Sequence, residues 1–307
     1  MSIVSTNIPI TSERNTQLIQ ALAQAYPIIR VRQFGITAFG RPLLAMTIGT
    51  GARKVLFTAA HHANEWITAY VLLRFAEELA AAITSNGSVY GIPASTLAKT
   101  EITLVPLVNP DGVDLVTGAI APGSVPYSLA QNLADNYPNI PFPDGWKANL
   151  LGVDLNLQYP AKWLRAREIK FSQGYTRPGP RDFVGRAPLN QLESRALADL
   201  TEEIDPALVL AYHTQGKVIY WQFDDIEVPG AQALANDFAR TSGYALEQVP
   251  EQSAYAGYKD WFIQTFRRPG FTIEVGEGEN PLPLEQFDEV YRDNLGILTA
   301  AATGLAE

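Results

Sequence analysis

Cysteine, basic residues and long apolar runs are scarce or absent in this 307-residue chain. The lack of cysteine excludes disulfide bonds, thiolate metal ligands and a cysteine nucleophile. No apolar run approaches the length of a membrane span, and the N-terminal stretch MSIVSTNIPITSERNTQ lacks the basic and apolar regions of a signal peptide. We therefore expect a soluble protein, without a membrane partner, that remains in the cytoplasm.

The charge balance also limits the partners. Acidic residues outnumber basic ones by 32 to 23, which gives a net charge of -9 at pH 7. Nucleic acid would be repelled over most of such a surface, so it is not an expected partner, and an acidic substrate would need a local basic pocket. With 47% hydrophobic residues and no stretch of linker composition, residues 1–307 are predicted to form a single domain. The oligomeric state stays open.

Short apolar runs alternate with segments of helical periodicity, which predicts an α/β fold with a mixed, twisted sheet flanked by helices. Asn190 with Glu193 fits a capping box at a helix start, and the Pro-, Asn- and Gly-rich region 118–144 is interpreted as a functional loop. The predicted strands are 28–36, 43–48, 54–59, 102–108, 207–212, 218–221 and 271–275, and the main predicted helices are 12–22, 65–82, 189–203, 231–241 and 284–301.

All three histidines fall in two short stretches, His61 and His62 in HHANEWIT and His213 in LAYHTQG. Glu65 follows His62 by about one helical turn. Two imidazoles and one carboxylate are the protein ligands of a hydrolytic zinc site, which leaves a fourth position for water. Two plainer interpretations remain: a solvated helix start for the His62–Glu65 pair, and a strand-end histidine that is simply hydrogen-bonded for His213.

These residues follow the ends of predicted strands. His62 comes after strand 54–59, His213 after strand 207–212, and Asn109 after strand 102–108. Ligand sites in open α/β sheets gather beyond the carboxyl ends of the strands. We therefore expect the three side chains to lie near one another.

Further motifs occur in a fixed order along the chain. They are YP at 26–27, GRP at 40–42, HHANEWIT at 61–68, NPDG at 109–112, WKAN at 146–149, GVDLN at 152–156, YHTQ at 212–215, DW at 260–261 and FTIE at 271–274. With this set the chain resembles the zinc carboxypeptidase family over nearly its whole length. The resemblance implies that family's fold, one Zn²⁺ per chain and hydrolysis of an amide by a metal-activated water.

The resemblance assigns roles to individual residues. It implies that His62, Glu65 and His213 are the zinc ligands, and that His61 is a neighbour whose side chain points elsewhere. Asp154 matches the residue that accepts the second ring proton of the first ligand histidine, although alone it could be an ordinary turn residue.

Two further residues match the catalytic positions of the family. Glu274 falls on the general base, with a structural ion pair as the plainer interpretation. Lys147 stands where standard members have an arginine that stabilises the oxyanion, and a lysine can supply the same charge without the bidentate fork. Outside this pattern, Lys147 would be an ordinary surface lysine.

Departures from the family pattern concern the substrate. Leu157 follows Asn156 where family exopeptidases have an arginine that clamps the substrate's C-terminal carboxylate, and leucine cannot hold a carboxylate. Asn64 replaces an arginine of the animal-type enzymes. Asn64 and Asn156 are expected to contact substrate, and ordinary C-terminal exopeptidase activity is disfavoured.

The variant strings resemble the bacterial branch that cleaves γ-D-glutamyl-meso-diaminopimelate bonds in cell-wall peptides. This implies a bacterial origin and a muropeptide substrate. Lys259 matches the floor of the specificity pocket, where its ammonium would favour an acidic group such as the second carboxylate of diaminopimelate, unless it only snorkels from a helix start. Tyr255, or else Tyr258, is expected to cap the site.

Three other functions stay open at this point. A generic metallocarboxypeptidase acting on ordinary peptides would share the catalytic residues. A catalytically silent protein could bind muropeptides without cutting them, and a zinc acyl-amino-acid deacylase would have the same ligand layout.

Overall fold

The structure is a computed structural model that describes residues 2–304. The strands are β1 Arg30–Ile36, β2 Pro42–Ile48, β3 Arg53–Ala59, β4 Ser88–Val89, β5 Ile92–Pro93, β6 Thr100–Val105, β7 Leu208–His213, β8 Val218–Tyr220, β9 Ala245–Glu247 and β10 Gly270–Glu274. The α-helices are α1 Ser12–Ala25, α2 Ile67–Ser85, α3 Ala94–Leu97, α4 Pro110–Val116, α5 Val125–Ala134, α6 Trp163–Ser172, α7 Leu192–Ile204, α8 Ala231–Ser242, α9 Tyr258–Phe266 and α10 Phe287–Thr303. Single 3₁₀ turns occur at Ala63–Glu65, Leu155–Leu157, Glu251–Ser253 and Leu284–Gln286.

An eight-stranded mixed sheet runs through the molecule in the order β1-β2-β6-β3-β7-β10-β8-β9. Its centre, β6-β3-β7-β10, is parallel, while β1, β2 and β8 join it in antiparallel pairs. Every residue of β7 is buried, which suits a parallel strand covered on both faces by helices. The predicted α/β fold with a mixed sheet is confirmed.

Helices cover both faces of the sheet. The apolar sides of α1, α2, α8 and α10 pack on one face, and those of α7 and α9 pack on the other. None of the helices in residues 2–304 is both long and apolar enough to span a bilayer.

The predicted strands are all present, with ends that differ by a few residues, but two local predictions are wrong. Helix α7 begins at Leu192 with Gln191 as an N-cap that makes no side-chain cap bond, so Asn190 and Glu193 form no capping box. The Glu193 carboxylate is buried and lies instead 3.5 Å from the side-chain nitrogen of Asn149.

Region 118–144 is only partly a loop, because it contains α5. The side chain of Ser124 caps this helix by accepting a hydrogen bond from the Tyr127 amide, and Pro126 lies in the first turn. These are helix-start signals that the high Pro, Asn and Gly content of the region concealed. The residues after α5, from Asn139 to Asp144, include part of the lining of the main cleft.

The carboxyl ends of the central parallel strands meet at one edge of the sheet. In the pairing of β7 with β10, His213 lies opposite Glu274, and in the pairing of β3 with β7, Ala59 lies opposite Tyr212. His62 follows β3 by a few residues. The topology therefore brings three predicted site residues to the same edge, although they are far apart in sequence.

Candidate metal centre and substrate cleft

His62, Glu65 and His213 form a compact group at this edge. Each offers one ligand atom, and these atoms all lie within 4.8 Å of one another. His62 has extended backbone after β3, Glu65 ends the 3₁₀ turn that leads into α2, and His213 is the last residue of β7. The group could hold one metal ion.

The geometry of the donors fits Zn²⁺. The Nδ1 atoms of His62 and His213 lie 3.2 Å apart, and the two Glu65 carboxylate oxygens lie 2.9 Å and 2.8 Å from them. Ligands of a tetrahedral zinc ion with bonds near 2.0 Å are separated by roughly 3.3 Å. Burial lowers the pKa of His213, which favours the neutral imidazole that a metal requires.

Asp154 holds the outer nitrogen of the first histidine. Its Oδ1 lies 3.2 Å from His62 Nε2, and it is itself fixed by the backbone amides of Asn156 at 3.1 Å and Asp182 at 3.3 Å. Burial alone would lower the pKa of His62, but the carboxylates of Glu65 and Asp154 raise it to about 9. The contact leaves Nδ1 facing the other ligands, as a metal-binding histidine requires.

A cation and a second carboxyl group stand beside the three ligands. Lys147 Nζ donates to Glu65 Oε1 over 2.9 Å, and the Glu65 charge raises the pKa of Lys147 against the opposing effect of burial. Burial, followed by the negative charge of Glu65, raises the pKa of Glu274 to about 8. Lys147 and His62 pair with Glu65, and within residues 2–304 no salt bridge joins either of them to Glu274.

A cleft of about 1000 Å³ opens over this group. Asn64 and Asn156, the two residues expected to contact substrate, both line it. Asn64 donates to the Asp144 carbonyl over 2.9 Å and leaves its own buried Oδ1 without a partner in residues 2–304, while Asn156 Oδ1 accepts from the Tyr258 amide over 3.0 Å. His62, Glu65 and His213, called the metal group from here on, therefore lie on one wall of the cleft, and the side-chain amides of Asn64 and Asn156 lie near them.

Comparison with known proteins settles the family. Residues 15–296 match the family model described as zinc carboxypeptidase. The chain belongs to the zinc carboxypeptidase family. It is accordingly a hydrolase of the metallopeptidase class that uses zinc and acts on a peptide, as the sequence predicts.

Individual relatives agree with this placement. The chain is 44% identical over 284 residues to a γ-D-glutamyl-L-diamino acid endopeptidase 1 of Lysinibacillus sphaericus, an alignment that covers 92% of this chain and 69% of the relative. Among solved structures, thrombin-activatable fibrinolysis inhibitor superposes with a TM-score of 0.77 at 16% identity, covering 99% of this chain and 76% of that one. Carboxypeptidase A of Helicoverpa armigera gives 0.71 at 19% identity, with 98% and 75% covered. These two likenesses concern the fold.

In this member of the zinc carboxypeptidase family, Leu157 lies at the cleft with an apolar, almost fully buried side chain. It is 7% exposed and packs with Trp163, Val184 and Ala256. The apolar packing agrees with the expectation that this position cannot clamp a carboxylate.

Lys259 lines the cleft, but its ammonium already has partners within the protein. Its Nζ donates to the Gln222 carbonyl over 2.5 Å and lies 2.6 Å from Asp260 Oδ1. Both side chains are buried at the start of α9. The predicted pocket-floor cation is therefore one half of a buried ion pair rather than a free ammonium.

Neither candidate for the capping tyrosine lies over the metal group. Tyr255 lines a separate groove beside Lys162 and Trp163, with its ring 6.4 Å from that of Phe223. Tyr258 is fully buried, with its hydroxyl 2.8 Å from that of Thr201. His61 is likewise outside the ligand group, since its Nε2 faces the Tyr159 hydroxyl at 3.3 Å.

Sequence reasoning missed a charged cluster on the cleft wall. Asp182 accepts from Arg181 Nε over 2.6 Å and lies 2.6 Å from Lys170 Nζ. All three line the cleft with the metal group. No motif marks them, because they belong to a Gly- and Pro-rich loop and to helix α6, whose sequence WLRAREIKFS lacks apolar periodicity.

Proposed function

We propose that this member of the zinc carboxypeptidase family hydrolyses γ-D-glutamyl-diamino acid bonds, such as γ-D-glutamyl-meso-diaminopimelate, in cell-wall muropeptides. The observation that carries the proposal is the 44% identity, over 92% of the chain, to a relative named for γ-D-glutamyl-L-diamino acid cleavage. The buried Leu157, in place of a carboxylate clamp, supports it by disfavouring an ordinary C-terminal exopeptidase. The chain is proposed to act as one catalytic domain, and the single eight-stranded sheet, which joins β1 and β2 to β10, supports this.

His62, Glu65 and His213 would hold Zn²⁺ in this reaction. When bound, the metal lowers the pKa of a water ligand and polarises the amide carbonyl. Asp154 keeps His62 oriented through the 3.2 Å contact with its Nε2. Other residues of the protein then transfer the proton and stabilise the charge that develops on the substrate.

Glu274 is the proposed general base. It sits at the end of β10 opposite His213, with a pKa raised to about 8 by burial and then by Glu65. The carboxylate form of a group whose pKa is near neutral can take a proton from the attacking water, and the carboxylic acid that results can pass it to the leaving amine. Lys147, whose ammonium lies beside Glu65, would balance the negative charge that develops on the carbonyl oxygen.

The leaving side of the substrate would meet the Lys259–Asp260 pair. One end of diaminopimelate carries both an ammonium and a carboxylate, and a buried pair of opposite charges 2.6 Å apart is complementary to such an end. Asn64 and Asn156 are proposed to orient the peptide. Tyr255 would have to leave its groove to reach the substrate.

Mass spectrometry of the products tests the proposal. The purified zinc-loaded protein would be given a diaminopimelate-containing muropeptide and, separately, a hippuryl-type peptide, each with and without a chelator. We expect cleavage at the γ-D-glutamyl bond and loss of cleavage with the chelator. Glu274→Gln should keep the zinc but lose on the order of 10²–10⁴-fold in kcat.

Other products would contradict the proposal in distinct ways. Release of ordinary C-terminal residues alone indicates a generic metallocarboxypeptidase, and release of an acyl group from N-acyl amino acids indicates a deacylase. A zinc-loaded protein without turnover on any substrate would be a binding protein.

A further inference from the structure

Arg181 differs from the other cations that line the cleft. Lys147, Lys170 and Lys259 each direct Nζ at a carboxylate, those of Glu65, Asp182 and Asp260. Arg181 uses Nε for its bond to Asp182, and no hydrogen bond joins its two Nη atoms to any of residues 2–304. Its side chain is 39% exposed. Within the described part of the chain, this guanidinium keeps donors available to a ligand in the cleft.

The backbone on either side of Arg181 is fixed to the metal centre. The Pro180 carbonyl accepts hydrogen bonds from the amides of Lys147 at 2.7 Å and Ala148 at 2.9 Å. The Asp182 amide donates to Asp154 Oδ2 over 3.3 Å, and Asp154 holds His62. Arg181 is therefore tied to the wall that carries Lys147, the residue proposed to face the carbonyl oxygen.

The bond to Asp182 also orients the side chain. With Nε fixed by a carboxylate, the two Nη atoms remain as the free part of the planar guanidinium. Paired N–H donors of a guanidinium match the two oxygens of a carboxylate. An anchored and partly exposed arginine loses little side-chain entropy when it binds such a group.

We propose that Arg181 binds the free α-carboxylate of the D-glutamyl residue on the acyl side of the scissile bond. This inference rests on the proposed function, because a glutamyl residue joined through its γ-carbonyl keeps its α-carboxylate. In the extended side chain that carboxylate lies roughly 5 Å from the attacked carbon, on the acyl side, which is the side that Lys147 serves. Arg181 thus selects γ-linked over α-linked substrates.

A matched pair of substrates tests this role. One muropeptide carries D-glutamate with a free α-carboxylate, and the other carries the α-carboxamide at the same position. Wild-type protein should prefer the carboxylate by about 10- to 100-fold in kcat/KM, since a hydrogen bond to a charged group is lost with the amide. Arg181→Gln should lower kcat/KM by a similar factor on the carboxylate substrate and leave the carboxamide substrate nearly unchanged. Arg181→Lys should recover part of the preference.

Arg186→Gln is the matched control. Arg186 is exposed, lies a few residues further along the same segment and lines the other groove, so both substrates should be cleaved at the wild-type rate. Zinc content and thermal melting check that each variant is folded.

Several results would overturn the role of Arg181. An equal loss on both substrates would mean that Arg181 acts only by positioning Asp182 and Asp154. If the wild-type protein cleaves the two substrates at equal rates, recognition of the carboxylate is ruled out by the wild-type measurement alone. If the wild-type protein cleaves the γ-D-glutamyl bond and either of these results is found, only the role of Arg181 is overturned. If the wild-type protein cleaves neither muropeptide, the proposed function is overturned as well.

Discussion

At the scale of single residues, the buried charges around the metal group are stabilised in different ways. Asp154 is held by His62 and two backbone amides. Burial alone would raise the pKa of Asp154, but the charge of His62 and its hydrogen bond outweigh this effect and lower the pKa. Glu193 is also buried, at 2% exposure, but its hydrogen-bond partner is the neutral amide of Asn149. Burial, with the charge of Asp111 added, raises the pKa of Glu193 to about 7.

Glu193 therefore makes stability depend on pH. The folded protein keeps a proton on Glu193 between the unfolded value of 4.5 and about 7, so stability falls as the pH rises through this window. The loss reaches on the order of 3 kcal/mol above pH 7. Glu193→Gln should remove this loss. The unfolding free energy of the variant, relative to that of wild type, should therefore be higher at pH 8 than at pH 4.5. Urea unfolding at both pH values, in one metal state, measures this, and parallel pH profiles for the two proteins would contradict it.

At the scale of elements, α4 connects the NPDG motif to the site. Asn109 Nδ2 donates to the carbonyls of His61 at 3.2 Å and Ala148 at 3.0 Å. A Cβ on Gly112 would come within 2.5 Å of the Ala148 carbonyl and 2.8 Å of Ala63 Cβ. The glycine is thus needed for the close packing of α4 on the two segments that carry His62 and Lys147.

Gly112→Ala should push α4 away from those segments. We expect a loss of about 1–3 kcal/mol in unfolding free energy together with weaker zinc binding, because the shift loosens the backbone next to His62 and Lys147. Thermal melting and zinc titration measure both effects. Gly87→Ala is the control, since its nearest contact would be a side-chain oxygen of Ser85 at 3.3 Å. Unchanged zinc affinity in Gly112→Ala would separate α4 from the metal site.

The elements also show what could be predicted from local pattern. Strands β3, β6, β7 and β10 are short apolar runs, and burial on both faces makes such runs easy to recognise. Helices α5 and α6 were not predicted, since α5 lies in a region dense in Pro and Asn and α6 lacks an apolar stripe. The position of α7 was predicted, but the partner of Glu193 was not, because Asn149 lies 44 residues away.

At the scale of the whole molecule, the metal should contribute to stability. The three ligands come from segments around residues 62 and 213, so a bound ion joins parts of the sheet edge that are distant in sequence. Zinc binds the folded state, which raises stability by about 4 kcal/mol when free zinc is 1,000 times its Kd.

Removal of the metal by a chelator should therefore lower the melting temperature, and addition of Zn²⁺ should restore it. Zinc affinity should also weaken as the pH falls, because the metal must displace a proton from His62, whose pKa is raised to about 9. Differential scanning calorimetry with and without chelator measures the first effect, and zinc titration at two pH values measures the second. A melting temperature unaffected by chelation would contradict a structural contribution of the metal.

The sequence by itself predicted the family, the main strands of the central sheet, and the candidate ligand set His62, Glu65 and His213. Such features are local, because spacing along the chain and position at a strand end are enough to identify them. Only the tertiary structure revealed that Lys259 is paired with Asp260, that Tyr255 lies away from the metal group, and that Arg181 faces the cleft with Nη donors that bind none of residues 2–304. These properties depend on which loops and helices meet in space, and neither residue type nor periodicity encodes those contacts.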